Sequence, residues 1–229
     1  MGDRDFSKFF HEYEALVATA EQAFDRVKRE YAAEVACRQG CSDCCHALFD
    51  LSLIEAMYVN HHFNRLCTGD TRDQILEKAN RADRKIYRIK KSAFDELQKG
   101  KDEVDILGAM SMERVRCPLL NDSELCDLYD FRPITCRLYG IPTSNADVSH
   151  TCGKTGFVQG RPYPTVKLDM IHQRLYDLST QLVASIPTRF VKMADMLVPL
   201  SMSLLTVYDD EYLGISSPNP VEDDKEKQP

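Results

Sequence analysis

Apolar side chains recur every three or four positions over most of the first hundred residues, which is the period of an amphipathic helix. This pattern predicts a long helix over residues 6–35. Ser52, followed three positions later by Glu55, matches a capping box, and the apolar run behind it predicts a second helix that reaches about Leu66. A third helix is predicted over residues 71–100, where a glycine provides the stop.

The helical period is absent from residues 101–164, a segment that contains five prolines and four cysteines. We expect this segment to be irregular, with a short hairpin through residues 119–129 and one helical turn after Pro133. Such a segment is suited to wrapping around something other than an apolar core.

The helical period returns after this segment. Residues 165–186 predict a helix that Pro187 ends, because proline lacks the backbone N–H that a helix interior needs. Residues 188–207 predict a last helix, bent or broken near Pro199.

These elements predict a mainly α fold, a helical bundle with an irregular cysteine-rich metal-binding segment and room for a short β-hairpin. The chain has 229 residues, of which 43% are hydrophobic and 28% charged, values typical of a globular domain. We expect residues 1–213 to form a single domain, with the metal site within residues 37–157. Residues 214–229 are polar, acidic and rich in proline, so we expect a disordered acidic tail.

The formal net charge of -7 is concentrated near the end of the chain, because residues 209–229 contain seven acids against two lysines. The rest of the chain is close to neutral, so nucleic acid is not expected as a partner. The predicted third helix has a basic face, which we interpret as a solvated surface and not as a nucleic-acid site.

No stretch approaches the roughly 18 consecutive apolar residues of a membrane span. The first residues lack the apolar segment of a secretory signal. We therefore expect a cytoplasmic protein without membrane association, whose cysteines stay reduced.

Candidate chemistry is concentrated in the nine cysteines, eight of which fall in two groups. The first group has the spacing C-x3-C-x2-C-C and would occupy about a 100° arc if the first helix continued through it. The second group is spread over the irregular segment. Clustered thiolates are the soft ligands that zinc or an iron–sulfur cluster prefers. We therefore predict that the metal ligands are these eight side chains: Cys37, Cys41, Cys44, Cys45, Cys117, Cys126, Cys136 and Cys152.

The remaining candidates have weaker cases. Cys67 stands alone and is predicted to be structural, because an isolated cysteine is usually a buried small apolar side chain. His46 could supply a ligand nitrogen, but we favour a hydrogen-bonding or surface role. Arg132 and Arg137 flank Cys136 and are candidate donors to cysteine sulfur or to neighbouring carbonyls. We also expect the two cysteine groups to be neighbours in space, because neither group alone completes a coordination site that uses all eight ligands.

The motifs CRQGCSDCC, RCPLL, LCDLYDFRPITCRLYG and TCGKTGF resemble those of the YkgJ-type cysteine-cluster proteins, a zinc- or iron-chelating domain family. The resemblance covers roughly residues 37–157. It implies metal chelation by the eight clustered cysteines, which their spacing indicates independently. A flagellin lysine N-methylase carries a similar cysteine pattern, so an enzymatic function stays open.

Three classes of function remain. The favoured one is a metal-binding protein that chelates zinc or an iron–sulfur cluster in a structural, redox or metal-handling role. The second is an iron–sulfur-dependent modifying enzyme, such as a transferase similar to a protein lysine N-methylase, although no G-x-G-x-x-G motif provides a dinucleotide or Rossmann-type methyl-donor site. The third is a helical protein that binds other proteins and in which zinc only stabilises the irregular segment. The sequence does not show whether the protein is an enzyme, and it identifies no catalytic residues.

Overall fold

A computed structural model of the protein describes residues 4–38, 40–146 and 148–215. The fold is mainly α, as the sequence predicts. The helices are α1 (Ser7–Glu30), α2 (Leu53–Leu66), α3 (Gly69–Gln98), α4 (Glu103–Ser111), α5 (Ile134–Leu138), α6 (Leu168–Ala184) and α7 (Leu200–Leu205). Short 3-10 turns occupy Asp43–His46, Tyr129–Phe131 and Met193–Asp195. The strands are β1 (Asp50–Ser52), β2 (Thr143–Asn145), β3 (Val148–His150), β4 (Val166–Lys167) and β5 (Leu197–Pro199).

The strands form two small sheets at the edges of the helices. In the first sheet β1 pairs antiparallel with β5, and Leu51 lies opposite Val198. In the second sheet the order is β3-β2-β4, with β2 antiparallel to β3 and parallel to β4. These pairings link segments far apart in sequence and fix where α2, α6 and α7 begin.

The centre of the fold is α2, which packs against α1, α6 and α7. Its apolar side chains, including Met57, Val59 and Phe63, are fully buried. The predicted capping box is present, since the Ser52 hydroxyl accepts from the Glu55 backbone N–H and the Glu55 carboxylate accepts from the Ser52 backbone N–H. The second helix is therefore confirmed at both ends.

The buried Glu55 carboxylate also connects three helices. Its Oε1 accepts from the Tyr13 hydroxyl of α1 at 3.2 Å and from the Ile134 backbone N–H, the first residue of α5, at 3.1 Å. Burial raises the pKa of Glu55, although these hydrogen bonds favour its charged form. The carboxylate thus satisfies a free N–H at the start of α5 and sets the position of that helix.

The first helix ends earlier than predicted. Its last residue is Glu30, not residue 35, so the first cysteine group is not carried on a helix and the predicted helical arc is wrong. The reason is a long-range contact: the Glu34 carbonyl accepts from the Gly156 backbone N–H at 2.8 Å. Tyr31 packs against Tyr163, with ring centroids 5.3 Å apart. These interactions replace the helical hydrogen bonds and turn the chain towards residues 152–164.

The third helix and the segment after it also differ from expectation. α3 begins at Gly69, two residues before the predicted start, and ends before Gly100, whose φ of +83° suits glycine. α4 lies within the segment predicted to be irregular. Its N-cap is Asp102, whose carboxylate accepts from the Val104 and Asp105 backbone N–H groups.

The predicted hairpin is reduced to a tight turn. Leu120 and Cys126 form a single antiparallel bridge, and the Asp127 N–H donates to the Leu119 carbonyl. The predicted helical turn after Pro133 is confirmed as α5. This part of the chain is therefore irregular but closely hydrogen-bonded.

The last two predicted helices are shorter than expected. α6 starts at Leu168 because the two residues before it, Val166 and Lys167, pair with β2. The helix predicted over residues 188–207 is wrong for most of its length: the chain forms a 3-10 turn and β5, and only Leu200–Leu205 after Pro199 are helical. Pairing of β5 with β1 supplies the hydrogen bonds that a helix would otherwise make.

The end of the described chain is tied to the fold. Ile215 is buried and bridges to Thr188. The predicted acidic tail over residues 214–229 therefore starts too early, because Gly214 and Ile215 are buried and hydrogen-bonded to the fold. The rest of that tail, residues 216–229, lies outside the described residues. Among the helices that the structure describes, none is both long and apolar enough to cross a membrane.

Candidate metal centre

All eight cysteines predicted as ligands line one cavity, whose volume is about 850 Å³. The cavity lies between the C-terminal half of α1, the turn Asp43–His46, α5 and the inner face of α3. Cys67 lies elsewhere, 5% exposed in the apolar core at the end of α2. The structure therefore separates the ninth cysteine from the other eight, as the sequence predicts.

The first cysteine group reaches the cavity through a loop and a short turn. Gly40, with φ +81°, allows the chain to reverse after Cys37, and the Cys41 N–H donates to the Arg38 carbonyl at 3.0 Å. The 3-10 turn Asp43–His46 then places Cys44 and Cys45 in sequence on the cavity wall.

The second group is held beside the first by backbone hydrogen bonds. The Cys117 N–H donates to the Cys45 carbonyl at 2.7 Å, and the Val115 N–H donates to the His46 carbonyl at 2.9 Å. From α5, Cys136 lines the cavity beside Cys44, and the two thiols shift each other's pKa. The expectation that the two cysteine groups are neighbours in space is confirmed.

Within the cavity the thiols influence one another's ionisation. Cys44 interacts most strongly with Cys136 and Cys45, and this interaction lowers the pKa of Cys44 and raises the pKa of the other two. Burial raises the pKa of Cys117 to about 12 and raises that of Cys126 as well.

Cys37 and Cys152 also lie among other thiols of the cavity. Burial raises the pKa of Cys37 to about 11, and the thiols Cys41, Cys152 and Cys44 add to this effect. The Cys152 sulfur accepts from the Lys154 backbone N–H at 3.5 Å. Thiols from both ends of the cysteine-rich region therefore act on one another.

A carboxylate that sequence reasoning missed lies against Cys152. The Cys152 thiol donates to Asp43 Oδ2 at 3.4 Å, whereas Asp43 Oδ1 accepts from Arg114 at 2.8 Å and lies 3.7 Å from Lys154 Nζ. Partial burial opposes ionisation of Asp43, but hydrogen bonds from Cys152 and Arg114 outweigh it and lower the pKa of the carboxyl. The signal that could have found it is its position inside the motif CSDCC.

Two arginines brace the second cysteine group. Arg137 is buried, and its Nε donates to the Arg132 carbonyl at 2.8 Å while its Nη1 pairs with Glu21 of α1. Arg132 Nε donates to the Tyr129 carbonyl at 2.8 Å. The prediction that these arginines donate to neighbouring carbonyls is confirmed, and they fix the backbone over residues 129–132, shortly before Cys136.

One glycine makes room for a thiol. A Cβ atom added at Gly140 would overlap the Cys37 sulfur, so only glycine lets the chain after α5 approach Cys37 this closely. No sequence pattern singles out this position. Gly140 therefore belongs to the site although it carries no ligand.

Part of the cavity lining is an apolar wall. It is formed by side chains from α3, from the start of α7 and from the segments around the turn Asp43–His46 and before Cys117: Leu48, Phe49, Ala82, Ile86, Val115 and Leu200. The cavity lining therefore combines thiols with hydrocarbon.

The histidines are placed as the sequence analysis favoured. His46 Nδ1 lies 3.0 Å from the Ser42 carbonyl, a hydrogen-bonding role. His61 and His62 pack in an aromatic cluster with Phe10 and Phe131.

The donor set fits a thiophilic metal in chemistry, since eight thiols line a shared space together with four acidic residues, Asp43 among them. Over the described ranges, however, no three Cys, His, Asp or Glu side chains already converge as ligands of a single ion. The thiols surround the cavity, and binding would require them to move inward.

Comparison with known proteins gives one match. A family model described as "Putative zinc- or iron-chelating domain" matches residues 36–153, more than half of the chain and all eight cavity cysteines. The family is written CxxCxxCC, whereas this chain has three residues between its first two cysteines. No curated protein and no solved structure matches the chain.

Proposed function

Since the chain belongs to the family of zinc- or iron-chelating domains matched over residues 36–153, we propose that the eight cavity cysteines are the ligands with which it chelates zinc or iron. One observation carries this proposal. Eight cysteines from two distant parts of the chain line the same cavity, and the ninth packs in the core. Chance burial of small apolar side chains would not sort the thiols in this way.

The electrostatics of the cavity support chelation. Thiolates in these numbers would leave a bound metal site negatively charged, and cations are present to offset that charge. Arg38, Arg116, Arg132 and Arg137 all line the cavity. Lys154 and Arg114 approach it through Asp43. A reducing compartment such as the cytoplasm would keep the thiols available.

The metal would play at least a structural role. Residues 112–133 contain no α-helix, and their backbone is anchored mainly by contacts with the first cysteine group and by tight turns. A bound metal would add cross-links between this segment and the first cysteine group. Storage, delivery, sensing and redox roles for the same centre are all compatible with an open cavity.

The test is anaerobic purification of the full chain, followed by a visible spectrum, metal analysis and acid-labile sulfide analysis. Zinc without colour supports mononuclear thiolate sites. Iron with sulfide and broad visible absorption supports iron–sulfur clusters. Retention of neither metal, together with failure to bind either on anaerobic reconstitution, would refute chelation by this cavity.

The apolar wall favours one second candidate, an iron–sulfur-dependent modifying enzyme such as a lysine N-methylase-like transferase. A cavity of about 850 Å³ is within the range of small-molecule sites, and Phe49 and Ile86 face it with hydrocarbon. Equilibrium dialysis of the metal-loaded protein with S-adenosylmethionine tests this candidate. Binding that requires the loaded metal supports it, and absence of binding counts against a methyl-transfer reaction.

A further inference from the structure

We propose that Glu55 is a positioning residue for metal binding: its hydrogen bond to the Ile134 backbone N–H holds α5 so that Cys136 stays at the cavity wall. This inference rests on the proposed chelating function. It adds to that function a residue of α2 that is buried in the core and carries no ligand.

Cys136 differs from the other cavity cysteines in the backbone that carries it. It lies in α5, whereas the other seven lie in loops, in a single bridge or in the 3-10 turn Asp43–His46. Because binding requires thiols to move inward, the segments with the fewest regular hydrogen bonds can move most readily. Cys136 is therefore the fixed thiol on which the others converge.

The helix that carries Cys136 is too short to hold its own position. α5 has five residues, Ile134–Leu138, which is little more than one turn. The N–H groups of a first turn have no partner inside the helix. The Ile134 N–H is buried, and it donates to Glu55 Oε1 at 3.1 Å. This bond ties the start of α5 to α2, two residues before Cys136.

The Glu55 carboxylate is itself held in one orientation. Its Oε1 also accepts from the Tyr13 hydroxyl at 3.2 Å, and its Oε2 accepts from the Ser52 hydroxyl at 3.3 Å and from the Ser52 N–H at 3.4 Å. The side chain is 3% exposed, so water does not compete for these oxygens. Glu55 can therefore transmit the position of α1 and α2 to α5.

The other contacts of α5 are less directional. Ile134 and Leu138 are buried in the apolar core, but apolar contacts constrain the rotation of a short helix less than a hydrogen bond does. Arg137 pairs with Glu21, whose side chain is half exposed. Its other bonds go to the carbonyls of Asp130 and Arg132, which lie in the irregular segment before α5. Of these contacts, the bond from Glu55 is the one that links α5 to the central helix α2.

The experiment uses Cd²⁺ as a thiophilic probe on the full chain, stripped of metal under anaerobic reducing conditions. Affinity is measured from the sulfur-to-cadmium charge-transfer absorbance, and the free energy of unfolding from urea titration. Glu55→Ala removes the acceptor, whereas Glu55→Gln keeps a carbonyl oxygen that can accept from Ile134. Met57→Ala is the matched control, because it removes a fully buried side chain of the same helix but no hydrogen bond to α5.

The Glu55 variants are made both in the natural sequence and together with Cys136→Ser. In the natural sequence, Glu55→Ala should weaken Cd²⁺ binding by about 10–100-fold, the range seen when outer partners of ligands are removed. Glu55→Gln should retain most of the affinity. Together with Cys136→Ser, Glu55→Ala should add almost nothing, because the thiol through which Glu55 acts is gone. Met57→Ala should lower the free energy of unfolding and leave the affinity of the folded protein unchanged.

Two results would overturn the inference. Unchanged affinity in Glu55→Ala would show that apolar packing alone places α5. An equal loss with and without Cys136, or an equal loss in Met57→Ala, would show that Glu55 only supports the fold. If Glu55→Ala does not fold, Glu55→Asp takes its place in the same comparison, since it keeps the carboxylate but shortens the side chain. A folded natural sequence that binds no Cd²⁺ would instead refute the proposed chelating function.

Discussion

Cys136 and Cys67 carry the same thiol among different neighbours. Cys136 lines the cavity with the other seven thiols, whereas Cys67 packs against the apolar side chains at the end of α2. Substitution by serine nearly preserves size but replaces a soft ligand with a hard, weak one. The comparison of these two positions therefore separates metal ligation from packing.

We predict that Cys136→Ser lowers the bound metal per folded chain much more than Cys67→Ser does. The measurement is metal content by mass spectrometry after anaerobic purification, with folding checked by circular dichroism. Equal losses, or a greater loss at Cys67, would show that the ligand set is misassigned.

The space beside Cys37 gives a second prediction. Gly140→Ala would place a methyl group where the Cys37 sulfur lies, and the backbone at this position needs no glycine-specific angle. We expect metal affinity to fall by about 10–100-fold, the range seen when the surroundings of a ligand are disturbed.

The matched control for Gly140→Ala is Gly153→Ala. Gly153 lies next to Cys152, but an added Cβ there meets no atom within 4 Å. Metal titration of both variants checks the prediction, and equal affinities would contradict a role for Gly140 in placing Cys37.

At the scale of elements, the frame of helices and the cysteine-rich segments depend on different interactions. α2 and α6 are held by buried apolar side chains such as Phe63 and Leu182. Residues 31–50 and 114–157 bury single side chains such as Leu128 and Leu138, but they contain only short helices and strands and are joined by isolated long-range hydrogen bonds. Their stability should therefore depend on metal far more than that of the helices.

We predict that metal removal raises amide hydrogen exchange mainly in residues 31–50 and 114–157. Amides in α2 and α6 should keep their protection, because their apolar contacts do not involve the cavity thiols. Hydrogen exchange followed by mass spectrometry, with and without chelator, provides the measurement. Complete demetallation with unchanged exchange in these segments would contradict a structural role of the metal.

The elements also show what periodicity can and cannot predict. The extent of α2 followed from its capping box, which is local. The early end of α1 did not, because the Glu34 carbonyl is bonded to Gly156, a partner 122 positions away that no window of sequence contains. The residues of β5 were predicted to be helical because their pairing with β1, which makes them a strand, is equally non-local.

The site shows the same division. Residue type and spacing were enough to predict which eight cysteines come together. Asp43 and Gly140 were missed because their roles depend on their distances to Cys152 and Cys37, which only the folded chain defines.

At the scale of the whole molecule, an aromatic cluster joins α1, α2 and the turn Tyr129–Phe131. Within it His62 stacks on Phe131 with ring centroids 3.7 Å apart. Burial lowers the pKa of His62 to about 4, and the neighbouring His61 and Arg65 act in the same direction. The histidine pKa in the unfolded chain is about 6.5. Between about pH 4 and pH 6.5, the unfolded chain therefore binds a proton at this position that the folded protein does not bind.

The sign of the pH dependence follows from that difference. The contribution of His62 to the free energy of unfolding is full above about pH 6.5 and is lost as the pH falls towards about 4. We predict that the destabilisation caused by His62→Gln is smaller at pH 4.5 than at pH 7. Urea unfolding at both pH values measures this.

The control for this prediction is His172→Gln, at an exposed position on α6. This substitution should lower the free energy of unfolding by the same small amount at both pH values. A pH-independent effect of His62→Gln would show that His62 titrates alike in the folded and unfolded chains.

The contact between Asp43 and Cys152 spans 109 positions of the chain, and this has a consequence during protein synthesis. At translation rates of about 5–20 residues per second, a nascent chain waits roughly 5 to 20 s between exposing its first cysteines and gaining its last. For that interval the early thiols lack the partners that surround them in the folded cavity. Before it folds, a ribosome-bound chain is therefore open to oxidation of these thiols and to binding of the wrong metal.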